Sequence, residues 1–199
     1  MPDTRMPTQK RSIAKRNKII EKGFELMCEK GYYKTSTTDI AKYCDISIGI
    51  IYQYFNDKKE IFMEGVKNYY FAIMYPMLNI LETEKFEMNN QNQLVNAVID
   101  KFIESHTISK RAHEELLAMS YLDENVANIF KESELLIADK IISLLNNNGF
   151  KSINIKEKVH IIIGIVDNFC HEVVYHKHKE IDYDVMKDEI INIIINILK

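Results

Sequence analysis

Residues 35–62 read TSTTDIAKYCDISIGIIYQYFNDKKEIF, and this stretch decides the fold class. Thr35, Ser36 and Thr37 supply side-chain oxygens of the kind that cap a helix N-terminus. Asp39 stands three residues after Ser36, where the helix dipole favours a negative charge. The helix that starts here should end near Cys44. Asp45-Ile46-Ser47 then reads as a tight turn, with Ser47 placed to cap a third helix running to about Phe55. Asn56-Asp57 caps a fourth, whose first turn holds Lys58, Lys59 and Glu60. Two short helices parted by a few residues, after a longer supporting one, have the layout of a helix-turn-helix from Ser36 to Phe55.

Upstream, Ile13, Ile19, Ile20, Phe24, Leu26, Met27 and Cys28 recur mostly at helical spacing between Ser12 and Lys30. Gly31 follows where a helix C-terminus prefers glycine. Residues 1–9, with two prolines and polar side chains, read as a flexible arm. Downstream, helices are expected at about 57–82, 91–107, 110–121, 124–148, 155–178 and 182–198, with Pro76 breaking or kinking the first. The expected architecture is all-α, with about nine helices. A three-helix head occupies residues 1–60 and a helical body residues 61–199, the fourth helix being shared between them. Only 6 Gly and 3 Pro in 199 residues argue against a turn-rich β fold.

The net charge of −3 is unevenly spread. Residues 1–60 hold 12 Lys and Arg against 8 Asp and Glu, whereas the remainder holds 14 against 21. A basic head on an acidic body places a polyanionic partner at the head. The three cysteines, Cys28, Cys44 and Cys170, are widely separated with no Cys-x-x-Cys pair, so they read as reduced, buried thiols. The most apolar runs, Ile161 to Val166 and Ile190 to Leu198, are too short for a membrane span, and no signal peptide is recognisable. A soluble, cytoplasmic protein with no membrane partner is expected.

The run Thr35–Phe62 resembles the tetracycline-repressor (TetR/AcrR) family, through Ile40, Ala41, Ser47, Gly49, Tyr52, Phe55 and Lys58 at fixed spacing. With the flanking helices the resemblance covers about residues 13–73. The rest shows only a helical layout consistent with that family's variable ligand-binding body. The resemblance implies a DNA-binding head, a double-stranded operator, a small-molecule effector and a homodimer, and no enzymatic activity is expected.

The matching residues have physical reasons to meet DNA. Gly49 removes a side chain where the third helix approaches the groove, and Ser47 can donate to a phosphate as well as cap. Tyr52 and Tyr54 carry rigid hydroxyls that can reach phosphates, and Lys58 adds a point charge. Thr35, Ser36 and Thr37 offer hydroxyls beside a helix N-terminus that suits an anion. Ile40, Ala41, Ile46, Ile51 and Phe55 are read as packing of the small core. Two departures from the family pattern matter. Cys44-Asp45 replaces the usual Ala-Gly of the turn, which Asp tolerates better than most residues. Ile48 and Ile50 stand where polar or small side chains are commoner, and isoleucine can only pack, for example on thymine methyls. An A·T-leaning operator is therefore expected, read by methyl contacts, by Gln53 and by DNA shape.

In the body, Tyr70, Met74, Phe102 and Met119 are candidate ligand-pocket residues, with His106, Asn168 and His171 as polar candidates, for an apolar or aromatic effector. The last two helices, about 155–198, are apolar nearly all round, so a partner subunit is expected to cover them in a four-helix interface. His171-Glu172-Val173-Val174-Tyr175-His176 is one residue too long for a zinc-protease helix, since its histidines lie about 140° apart around the axis. Asp167 and His171, with His178, are a candidate metal set, but the plainer reading is a polar or pocket-lining helix end, and no metal, cofactor or catalytic residue is assigned. The overall expectation is a homodimeric repressor released from a pseudo-palindromic operator by a small apolar ligand. The alternatives are a ligand-independent or activating regulator, or a helical metal sensor or enzyme with a DNA-binding head.

Overall fold

A computed structural model describes residues 8–84 and 90–199. Among these the chain forms α1 (Lys10–Lys30), α2 (Thr37–Tyr43), α3 (Ile48–Tyr52), α4 (Lys58–Thr83), α5 (Gln91–His106), α6 (Lys110–Leu122), α7 (Glu124–Asn147), α8 (Ile155–Tyr175) and α9 (Tyr183–Leu198), with no strand. The all-α expectation is met. The arm expected over residues 1–9, up to residue 7, and residues 85–89 of the break expected at Thr83–Asn90 lie outside the described residues.

Local signals explain where the helices of the head start and stop. The Ser36 hydroxyl accepts from the Asp39 amide at 3.1 Å, and the Asp39 carboxylate accepts from the Ser36 amide at 2.9 Å, a reciprocal capping box that starts α2. Asp45 adopts φ +57° in the turn after α2, the left-handed conformation expected of it. Gly31, at φ +94°, returns its amide to the Met27 carbonyl at 2.9 Å and closes α1.

Three expectations change. Ser47 holds the N-cap position of α3, but its side chain makes no capping hydrogen bond. α3 stops at Tyr52 rather than Phe55, because the Gln53 and Tyr54 amides turn to the carbonyls three residues back, Ile50 and Ile51. Pro76 does not break α4, which runs through it. Proline removes one intrahelical bond, and buried Ile73, Met74, Met77 and Leu78 on either side hold the helix in place.

The described chain divides into two compact units. The first comprises the residues up to Tyr70 together with Arg111–Lys131. Its core packs Ile19, Met27, Ile40, Ile51, Phe55, Ile61 and Phe62 with Leu116, Met119 and Val126 of α6 and α7. Close approach of α1 and α4 needs glycine: a Cβ on Gly65 would lie 2.4 Å from the Phe24 ring. Lys59 pairs with Asp123 at 2.7 Å, and the Tyr32 amide donates to Glu115.

The second unit comprises Phe71–Lys110 and Glu132–Lys199. Here α5 packs against α8 and α9, which also pack against each other. Ile190, Ile191, Ile194, Ile195 and Leu198 of α9 are buried, as are Val159, Val166 and Phe169 of α8. Much of the apolar surface expected to require a partner subunit is thus covered within the chain, since α5 contributes Leu94, Val95 and Ile99 over it. The large apolar side chains that α8 and α9 leave exposed are Ile161 on α8 and Val185 and Ile193 on α9, and Gly164 and Asn168 of α8 are exposed as well.

Candidate DNA-binding surface and apolar cavity

The face of α3 is built by anchoring two residues and releasing the rest. Ile51 and Phe55 are buried in the core of the first unit, while Ile50 and Tyr54 are half-buried against it. Ser47, Gly49 and Gln53 are exposed, and so are Ile48 at 40% and Tyr52 at 49%. An added Cβ at Gly49 would meet nothing closer than the Ser47 hydroxyl, 4.0 Å away. Nothing within the chain therefore demands glycine at this position, unlike Gly65.

The residues before α2 and at the start of α4 behave differently. Thr35 is only 1% exposed, and its hydroxyl donates to the Gly31 carbonyl at 3.0 Å. Ser36 is exposed, but its hydroxyl and amide both hold Asp39, which draws that carboxyl below its ordinary range. The N-terminus of α2 thus already faces a carboxylate. Thr37 is half-buried. The Lys58 ammonium donates to the Tyr32 carbonyl at 2.7 Å and the Thr35 carbonyl at 2.8 Å, and lies 4.3 Å from the Tyr32 ring centroid. Burial holds its pKa below the ordinary lysine value. Two of its three donors are engaged, so Lys58 ties the start of α4 to the segment between α1 and α2. A sequence cannot reveal this, because the partners are backbone carbonyls 26 and 23 residues away.

The second unit contains a partly open cavity of about 90 Å³ with an entirely apolar lining. Met74 and Phe102, two of the expected ligand residues, line it with Ile99, Leu145, Val166 and Leu198 among others. His106 is buried, and Phe102 joins it to the cavity wall, the two rings meeting edge to face at 4.3 Å. His171 packs on His106 at 5.4 Å between ring centroids. Asn168 is exposed. Tyr70 and Met119 are not brought to the cavity: both belong to the first unit, where Tyr70 meets the Phe130 ring and Met119 is core. The other lining residues carry no distinguishing signal in the sequence, because an apolar stripe at helical spacing looks the same beside a cavity as in solid packing.

The fold and the head together define a helix-turn-helix protein whose second helical unit contains an apolar cavity. Residues 19–64 match the family described as bacterial regulatory proteins, tetR family. The HTH-type transcriptional regulator HbdR of Aromatoleum sp. (strain CIB) is 43% identical over 54 residues, 27% of this chain and 24% of that protein. The uncharacterized HTH-type transcriptional regulator YuxN of Bacillus subtilis (strain 168) is 30% identical over 135 residues, 67% of this chain and 46% of that one. The chain thus spans from a quarter to about half the length of these two relatives. A putative TetR-family transcriptional regulator from Mesorhizobium loti MAFF303099 has the same fold, with TM-score 0.72 and 18% identity over 95% of this chain and 98% of that one. The head thus matches the tetR family of bacterial regulatory proteins over residues 19–64, and the described chain shares its fold with that solved regulator. Among the described residues no helix is long and apolar enough to cross a membrane.

Proposed function

We propose that the protein is a cytoplasmic DNA-binding transcriptional regulator, acting as a homodimeric repressor that a small apolar molecule releases from a pseudo-palindromic operator. The observation that carries this reading is the exposed face of α3. Ser47, Ile48, Gly49, Tyr52 and Gln53 face solvent, while Ile51 and Phe55 anchor the helix from behind. The side chains that enter the major groove are Ile48 and Gln53, with Gly49 allowing close approach and Ser47 and Tyr52 meeting phosphates. Thr35, Ser36 and Lys58 position that face, and Thr37, Ile50 and Tyr54 flank it. The exposed stripe Ile161, Gly164 and Asn168 of α8, at spacings of three and seven residues, is the surface assigned to the partner subunit, together with exposed Ile193 of α9.

The effector is apolar, because the cavity lining offers it no polar group. At about 90 Å³ the cavity has room for only a very small molecule, well below the roughly 300 Å³ at which drug-sized pockets begin. A larger effector has to displace side chains, and Met74 and Met77 are the most adaptable of them. Both lie on α4, the helix that begins in the head, so their movement is the proposed route to the DNA. The small cavity also favours a second reading, a regulator that works without a small ligand. The test is a mobility-shift and footprinting assay on the DNA upstream of the protein's own gene. A salt-sensitive, two-half-site footprint supports the reading, and binding no tighter than to random DNA overturns it.

A further inference from the structure

We propose that His106, Asp167 and His171 form a binding site for a divalent transition-metal ion of the zinc type. His106 ends α5, while Asp167 and His171 stand four residues apart on α8 and so share one helix face. All three belong to the second unit. The His106 Nε2 atom lies 3.6 Å from Asp167 Oδ1, and the His171 Nε2 atom lies 3.7 Å from the same oxygen. The three ligand atoms fall within 4.8 Å of one another.

The orientation of His106 is what makes the cluster a ligand set. Its Nδ1 lies 2.8 Å from the Phe102 carbonyl oxygen, which can only accept, so Nδ1 carries the hydrogen. With Nδ1 so engaged, Nε2 is the His106 atom turned toward Asp167. An Nδ1–H donated to a backbone carbonyl is the outer-shell arrangement that fixes the tautomer of metal-binding histidines. The Tyr175 hydroxyl donates to the His106 carbonyl, tying the end of α5 to α8. His106 is only 2% exposed, so a cation here would be shielded from solvent on that side.

Chemistry narrows the ion. Two imidazoles and one carboxylate suit zinc, cobalt or nickel, whereas magnesium and calcium call for a shell dominated by oxygens. Metal–ligand bonds of about 2.0–2.1 Å in a tetrahedral site place ligand atoms roughly 3.3–3.5 Å apart. The two distances to Asp167 need to close by only a few tenths of an ångström, and the two histidine nitrogens, within 4.8 Å of each other, by up to about 1.5 Å. Three protein ligands leave a fourth position for water or a small donor molecule. His178 is not part of the set, since it pairs with Glu172.

This site stands independently of DNA binding and is tested without DNA. The full-length chain, stripped with a chelator and dialysed, is titrated with Co²⁺ and followed by its visible ligand-field bands, then with Zn²⁺ as competitor. The expected result is saturation at one ion per chain and displacement of cobalt by zinc. Asp167→Asn and His171→Ala each should weaken cobalt binding by about 100-fold or more, with helical circular dichroism unchanged. Asp167→Asn is isosteric and partly exposed, so it keeps the test open if the histidine variant misfolds. The proposal is overturned if the folded chain takes up neither ion saturably. It is equally overturned if uptake survives in the folded Asp167→Asn variant, which would place the ion elsewhere, for example at His176 and His178. In either case the cluster is a packing and hydrogen-bonding contact between α5 and α8 and not a metal site.

Discussion

The Lys58 ammonium donates to the carbonyl oxygen of Thr35 at 2.8 Å, across 23 residues of chain. With its second bond to the Tyr32 carbonyl, this makes Lys58 a brace of the head before it is anything else. Lys58→Ala is therefore expected to destabilise the protein by about 1–3 kcal/mol in urea denaturation, the scale of charged hydrogen bonds. It should also lower the slope of log affinity against log salt by less than the ~0.9 expected for a full phosphate partner. A full unit of slope lost with unchanged stability would make Lys58 a phosphate ligand and not a brace.

Glycines 49 and 65 should respond oppositely to alanine. Gly65→Ala forces a Cβ into the Phe24 ring and should cost about 1–3 kcal/mol of stability. Gly49→Ala meets open space, and alanine favours a helix by up to ~1 kcal/mol, so the fold should be unharmed or slightly firmer. Its cost should appear only in operator affinity, about tenfold by fluorescence anisotropy, because a phosphate or sugar then meets the added methyl. Equal operator affinity for Gly49→Ala and the parent chain would remove α3 from the groove at this point.

Ile48 is exposed on α3 and contributes little to the core. Ile48→Ala should leave the melting temperature within about a degree while weakening binding to the preferred operator several-fold. The loss should concentrate at A·T positions, where a thymine methyl is the contact. In vitro selection that returns G·C-rich half-sites for the parent chain would contradict this assignment.

Asp123, in the break between α6 and α7, is held below the ordinary carboxylate range by its hydrogen bond with Lys59 and by bonds from Asn125. A lowered folded-state pKa contributes stability that is complete above the unfolded value, about 3.9, and is lost as pH falls through the folded value. Asp123→Asn should therefore lower stability at neutral pH by at most about 1 kcal/mol. It should also flatten the acid limb of the stability–pH curve. An unchanged acid limb would mean the pair contributes nothing to folding.

The cysteines supply a check on packing. Cys28, Cys44 and Cys170 are buried, and burial raises each thiol, that of Cys28 to about 12. At pH 8 a thiol-specific reagent should react slowly with the native chain and rapidly with all three cysteines after denaturation. Fast native reaction of one of them would locate an opening in the fold.

The helix boundaries were legible to within a few residues because each rests on short-range signals: the Ser36–Asp39 capping box, the left-handed Asp45, Gly31 after α1. The errors were equally local in origin. Proline 76 reads as a break or a kink, and the helix runs through it where the burial of its neighbours outweighs the loss of one hydrogen bond. The run of isoleucines in α9 reads as surface awaiting a partner, yet α5 and α8 cover most of it. Apolar periodicity states that a face will be buried, not by what.

The sequence by itself determined the helix-turn-helix, the family of the head and the all-helical layout. Caps, turn conformers and 3.6-residue periodicity act over a few residues and are written there in order. Only the tertiary structure decided which side chains of that motif remain outside. It turned Thr35 inward, gave Lys58 two carbonyls and left Ser47, Ile48 and Tyr52 exposed. It also brought His106 to within 3.6 Å of Asp167, a residue 61 positions away. The reason is physical: such meetings depend on how whole helices pack, and no spacing within one helix encodes them.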